Sequence, residues 1–210
     1  MSTIAINQLN PRVYLASRSP RRRELLTQIG VQFDTIVFRG HPREDKELDE
    51  TPLAGESAVD YVQRVARAKA AHSWNIVGWR KQVAQPVLAA DTALEFEGAI
   101  IGKPVNADDA QAILRRLSGQ THRVLTAVAV AFDGRIEEQL SVSEVRFGPL
   151  DEGEIRSYVA SGEPLDKAGA YGIQGRAGLF VEQLVGSYSG VMGLPLYETG
   201  VLLRMFGYPL

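Results

Sequence analysis

The stretch RVLTAVAVAFDGRIEEQLSVSEVRF, Arg123 to Phe147, decides how the fold is read. Two extended runs, Arg123 to Phe132 and Ile136 to Phe147, flank Asp133-Gly134, a strong signal for a tight hairpin turn. A second turn signal, Glu97-Gly98, suggests another pair of extended segments. Elsewhere helices and strands alternate. Two hairpins inside an alternating pattern argue for an α/β fold with a mixed sheet covered by helices, not a regular doubly wound one.

Toward the N-terminus, Val13 to Ala16 reads as a short buried strand and Val31 to Phe38 as a second. Between them a helix runs from Ser19, the expected N-cap, to Gly30, a natural stop. RGHPREDKELDETPLAGE reads as a charged surface loop. Ser57 with Asp60 resembles a capping box, and the helix behind it is expected to reach about Ser73. SWNIVGWRKQVAQP then reads as a connection. Val87 to Ala90 is a short apolar run that ends at Asp91. Asn106 caps a helix with Asp108 and Asp109 in its first turn, and Ser118-Gly119 ends it. Beyond the hairpin, Asp151 starts a helix that stops near Gly162. GEPLDKAGAYGIQGRAG leads into a strand at Leu179 to Val185, and a last helix begins near Tyr197. No repeat, low-complexity segment or shift in composition divides the chain, so residues 1–210 are expected to form one domain.

Composition narrows the function classes. Of 210 residues, 45% are hydrophobic and 23% charged, with a net charge of -2, so nothing global suggests nucleic acid or a membrane surface. Without cysteine, disulfides and thiolate metal sites are excluded, and any metal needs carboxylate or His ligands. His41, His72 and His122 share no metal-ligand spacing. There is no apolar run of bilayer length and no signal-peptide pattern in MSTIAINQLNPR, which makes the cytoplasm the default location. The Walker, Rossmann and nucleophile-elbow patterns are absent.

Local chemistry is concentrated in a few places. In SRSPRRREL, Arg21, Arg22 and Arg23 fill the first turn of a helix, an end that already carries about +0.5 of an elementary charge. That crowding makes sense if an anion docks there. Strand, then serines and arginines, then helix is a geometry for phosphate, with Ser17 and Ser19 adding hydroxyls; a solvated basic face is the plainer reading. Lys69 shares a helix face with Tyr61, Val62, Val65 and Ala66, so it either snorkels to the surface or points an ammonium into a cleft. Asp91, with Thr92 beside it, is either a turn residue or a ligand-facing carboxylate at a strand's C-terminal end. Lys103 alone is a loop cation. Glu50 and Asp91 would suit Mg²⁺, which takes one or two carboxylates plus phosphate oxygens, if the fold joins them. Gln174, among Gly169, Gly172, Gly175 and Gly178, offers the donor and acceptor that suit a base edge.

Together these runs resemble the Maf proteins. LASRSPRRRELL, DET, RVARAKA, LAADTALEFEGAIIGKP, LSGQTHRVLTAVAV, YVASGEPLDKAGAYGIQG and GSYSGVMGLPL lie in order over most of the chain from Val13. The resemblance implies a Maf/ITPase-like fold with a cleft between two lobes. It also implies cleavage of a nucleoside triphosphate between its α and β phosphates, with a divalent cation (Mg²⁺, Mn²⁺ or Co²⁺) as cofactor. By the same resemblance Ser17, Arg21 and Arg22 hold the triphosphate. Glu50 and Asp91 are metal-linked, Asp91 is the proton acceptor, and Lys69 and Lys103 line the cleft. Arg21, Thr92 and Gln174 match the subfamily that acts on dTTP and UTP. The family pattern also implies a homodimer. The other readings are a septation regulator acting through a protein partner and a 7-methyl-GTP-type pyrophosphatase. RGHPREDKEL looks like an insertion ahead of DET.

Overall fold

A computed structural model describes residues 6, 10–36 and 48–210. The insertion at Arg39 to Leu48 therefore lies, except for Leu48, outside the described residues, as do His41 and the end of the expected strand at Phe38. In chain order the elements are β1 (Val13–Leu15), α1 (Pro20–Gln28), β2 (Phe33–Thr35), α2 (Ala58–Trp79), β3 (Val87–Phe96), β4 (Ala99–Ile101), α3 (Ala107–Leu117) and β5 (Thr121–Phe132). There follow β6 (Arg135–Phe147), α4 (Glu152–Ala160), three short 3₁₀ turns between Glu163 and Phe180, β7 (Val181–Val185), α5 (Tyr188–Met192) and α6 (Leu196–Met205).

The strands form one seven-stranded mixed sheet in the order β2-β1-β3-β5-β6-β7, with β4 beside β3. β1 is parallel to β2 and β3, and the other pairings are antiparallel. Both turn signals hold: Asp133-Gly134 and Glu97-Gly98 have positive φ at both positions, as the two-residue hairpin needs.

The central strands are buried on both faces, with a division by size along β5. Ala127, Ala129 and Ala131 face one way and pack with Val62, Ala66 and Ala70 of α2, where small side chains let the helix approach. Val128 and Val130 face the other way, against Leu25 and Leu26 of α1 and Leu202 and Leu203 of α6. A third cluster, with Leu94, Val124, Phe147 and Tyr158, lies under α3, α4 and the 3₁₀ turns.

Four expectations need correction. Ser19 occupies the N-cap but its side chain makes no capping bond; the Ser17 hydroxyl instead accepts the Ser19 N–H at 3.2 Å. The helix from Ser57 runs past Ser73 to Trp79, because Ile76 and Val77 in the presumed connection are buried core residues. Asp91 does not end its strand: β3 continues to Phe96. Leu179 belongs to a 3₁₀ turn, so β7 starts at Val181. Among the described residues no helix is long and apolar enough to cross a membrane.

Candidate active site

Strand register creates a gap at the centre of the sheet. β5 pairs with β3 from Val87 to Glu95 along one edge. On the other edge β1 pairs only with Val87 and Leu88, and β4 only with Leu94 to Phe96. Among the described residues, none pairs as a strand with residues 90–93 of β3 on that side. The turn from β1 into α1, with Ser17, borders the gap at one end; the segment after β4, with Lys103, borders it at the other. It lies beyond the C-terminal end of a parallel strand, where open α/β sheets bind ligands.

Asp91 and Thr92 sit within this stretch and, as neighbours in a strand, face opposite ways. Asp91 faces α2, where its Oδ1 meets Lys69 Nζ at 2.8 Å. The same ammonium reaches Glu50 Oε2 at 2.9 Å. Lys69 thus takes the cleft reading, not the snorkelling one: its side chain is 14% exposed and lies between two carboxylates.

Helix α2 also fixes the backbone that carries Glu50. The Tyr61 hydroxyl donates to Glu50 O at 3.0 Å. Arg64 donates to Asp49 O at 3.2 Å and Thr51 O at 3.0 Å, while Glu56 holds its guanidinium from the far side at 2.6 Å. The Asp49 side chain closes the turn on Thr51 N–H at 2.8 Å. In the sequence Tyr61 was read only as part of the apolar face and Arg64 was not singled out; its spacing of three from Tyr61 is the signal that would have found it. Burial, with the charges of Asp91 and Glu50, pushes the Tyr61 phenol up to about 12. It remains a neutral donor.

On the other face, Arg22 is held at three points. Nε donates to Gly193 O at 2.7 Å, Nη1 to Ser17 Oγ at 3.3 Å and Nη2 to Thr92 Oγ1 at 3.3 Å. Burial lowers its pKa, against the opposing charges of Asp91 and Glu50; a guanidinium stays charged even so. Two of its five N–H donors are not used in these bonds.

Arg21 points elsewhere, toward the glycine-rich stretch. A Cβ added at Gly172 would lie 3.7 Å from Arg21 Nη1. Against the effect of burial, the hydrogen bond from Lys167 and the charges of Lys167 and Arg21 hold the Asp166 carboxyl below its ordinary value. Lys103 and Gln174 are exposed, and among the described residues neither has a hydrogen-bond or ion-pair partner. Gly169 N–H donates to Gly102 O at 3.0 Å, which docks the glycine-rich stretch beside Lys103. Ser17, Glu50, Lys69, Asp91, Thr92 and Arg22 are thus brought together, with the Arg21 charge acting on Arg22; among the described residues no hydrogen bond or ion pair joins Lys103 or Gln174 to them.

The donor set fits a hard divalent cation. Two carboxylates converge on one ammonium, an arrangement that suits an ion completing its shell with phosphate oxygens and water. Among the described residues no group of three or more His, Cys, Asp or Glu that could hold a metal ion is present. A groove of about 410 Å³ lined by Asp151, Tyr158, Arg176, Leu179 and neighbours shares no residue with this site. The convergence of charge, not the concavity, marks the chemistry.

The sequence profile of the Maf-like protein family matches residues 12–206. The chain belongs to the Maf family. Its relatives include the dTTP/UTP pyrophosphatase of Dechloromonas aromatica (strain RCB), 67% identical over 94% of this chain and 98% of that one. The dTTP/UTP pyrophosphatase of Aromatoleum aromaticum is 61% identical over 96% and 98%. Among solved structures, the Ham1 protein of Staphylococcus aureus overlays with a TM-score of 0.48 at 12% identity, covering 93% of this chain and 97% of that one. The Maf match includes both faces of the β3 gap and the α5 segment behind it.

Proposed function

We propose that this Maf protein hydrolyses dTTP and UTP between the α and β phosphates, releasing the monophosphate and pyrophosphate. Modified pyrimidine nucleotides belong to the same substrate class. The observation that carries this reading is the meeting of Arg22, Ser17, Lys69, Glu50 and Asp91 around the edge of β3 at residues 90–93. The names of the close relatives supply the nucleotide.

The chain's own residues divide the work. A triphosphate carries several negative charges, and Arg22, Arg21, Lys69 and Lys103 are the cations that offset them. Arg22 offers its two remaining N–H donors to phosphate oxygens beside the Ser17 hydroxyl. Asp91 orients the attacking water and accepts its proton. Glu50 and Asp91 would hold the divalent cation, which when bound offsets charge on the phosphates and lowers the pKa of coordinated water. Lys69, which bridges the two carboxylates, would then be the ammonium left to offset charge on the phosphates. Catalysis of this kind rests on position and charge more than on covalent chemistry. Thr92 and Gln174 select the base. A homodimer and a cytoplasmic location, with neither nucleic acid nor membrane as partner, complete the proposal.

Purified protein incubated with a panel of nucleotides and Mg²⁺, with products resolved by anion-exchange chromatography, tests it. dTMP or UMP with pyrophosphate is the expected result. Release of orthophosphate, preference for 7-methyl-GTP, or no turnover would each contradict it. Full turnover in excess EDTA would remove the cation. Light scattering reads the homodimer.

A further inference from the structure

Of the segment GSYSGVMGLPL, Gly186 to Leu196, only the Gly193 carbonyl touches Arg22 directly; the hydroxyl of Thr126 lies behind it. Thr126 is fully buried in a strand otherwise apolar from Val124 to Phe132. It lies opposite Thr92 in the β3–β5 register. Its Oγ1 is 2.8 Å from Gly190 O and 3.0 Å from Thr92 Oγ1.

The direction of these bonds is forced. A carbonyl only accepts, so the single Thr126 hydrogen goes to Gly190 O. Thr92 must then donate to Thr126, which turns a Thr92 lone pair toward Arg22 Nη2 at 3.3 Å. The result is a one-way chain from Arg22 through Thr92 and Thr126 to Gly190. Arg22 Nε closes a ring by donating to Gly193 O, three residues further along the same segment.

The glycines permit this close approach. A Cβ at Gly190 would come within 3.0 Å of Ser141 Oγ. Gly193 has φ of +111°, and a Cβ there would lie 3.5 Å from Thr92 Oγ1 and 3.6 Å from Arg22 Nε. The segment is itself pinned: Ser187 Oγ accepts Gly190 N–H at 3.0 Å, and Ser143 Oγ accepts Ser187 N–H at 2.9 Å.

We propose that Thr126 is a positioning residue: with the carbonyls of Gly190 and Gly193 it locks the Arg22 guanidinium, through Thr92, in the orientation that receives the substrate's phosphates. The substrate in that statement rests on the pyrophosphatase reading; the locking of Arg22 does not. The bonds exist before substrate arrives, so their loss weakens ground state and transition state alike.

Thr126→Val keeps the shape and removes the hydroxyl, while Thr126→Ser keeps the hydroxyl. In steady-state assays with dTTP, Thr126→Val should raise KM about five- to tenfold with kcat within about twofold, and Thr126→Ser should restore KM. Thr92→Val breaks the same chain one link nearer Arg22. The Thr92→Val/Thr126→Val double variant should be no worse than Thr92→Val alone, and should Thr126→Val not fold, the Arg22 rotation in Thr92→Val carries the test. NMR of the Arg22 side chain reads the lock without turnover: rotation about the Cζ–Nη2 bond should be slow in the wild type and Thr126→Ser, and fast in both valine variants. Unchanged KM with slow rotation in the valine variants would overturn the proposal. So would Thr126→Ser behaving like Thr126→Val. A wild type that turns over no nucleotide would sink the pyrophosphatase reading instead and leave the rotation measurement to decide on Thr126.

Discussion

Asp91 and Thr92 are adjacent in sequence yet serve different faces of one strand. Asp91 joins Lys69 and Glu50 on the α2 side, and Thr92 joins Arg22 on the α1 side. Asp91→Asn keeps the size of the side chain and an acceptor toward Lys69, so melting should change little. Pyrophosphate release should fall about 10²- to 10⁴-fold, the range for losing a positioned base; near-normal release would take Asp91 out of the chemistry. Lys69→Met removes the ammonium that bridges two facing carboxylates. The metal-free variant should melt below the wild type, and Mg²⁺ should raise its melting temperature by more than it raises that of the wild type. An equal Mg²⁺ response in both proteins would mean that the ammonium and the cation do not share a place. Sequence showed which helical face Lys69 occupies, but not that a distant loop brings Glu50 to it. The ligand-facing reading of Asp91 was open from its apolar run, whereas its pairing with Lys69 required the register between α2 and β3.

At the scale of elements, both hairpins were legible because Asp133-Gly134 and Glu97-Gly98 act locally through positive φ. Helix ends were less legible. Ser73, Asn75 and Gly78 read as a loop, but burial of Ile76 and Val77 carries α2 on to Trp79, with Trp74 edge-on to Phe132 at 5.5 Å between ring centroids. Ile76→Ala should therefore cost about 2–5 kcal/mol in urea unfolding, as for a fully buried aliphatic side chain. A cost within the range of surface substitutions, under about 0.5 kcal/mol, would return that segment to the status of a connection. The continuation of β3 past Asp91 was hidden for a related reason. A polar pair interrupts the apolar pattern, and only pairing with β5 and β4 shows that the strand runs on. α5 was missed because a helix of five residues is too short to show helical periodicity.

For the molecule as a whole, the glycine-rich stretch is tied to the sheet by an aromatic cluster. His122 of β5 lies 2.8 Å from the Tyr171 hydroxyl, and Phe147 packs against both rings. Burial lowers the His122 pKa to about 4, and among the described residues its Nδ1 meets no partner. In the unfolded chain the imidazole regains an ordinary value near 6.5. Between these values the unfolded state takes up a proton that the folded state refuses. Stability is thus full above about pH 6.5 and falls toward pH 4, by an amount on the order of 3 kcal/mol. Thermal melts across that range should show the fall, and His122→Phe should flatten it; an identical slope in the variant would assign the fall to other groups. The proposed function depends on a polyphosphate lying along the edge of β3 at residues 90–93. A crystal structure with Mg²⁺ and dTTP carrying an imido link between the α and β phosphates tests that most directly. The expected result is a triphosphate beside residues 90–93, touched by Arg22 and Lys69, with the cation between Glu50 and Asp91. Nucleotide bound instead in the groove of Asp151, Tyr158 and Arg176, with Lys69 still bridging its two carboxylates, would contradict it.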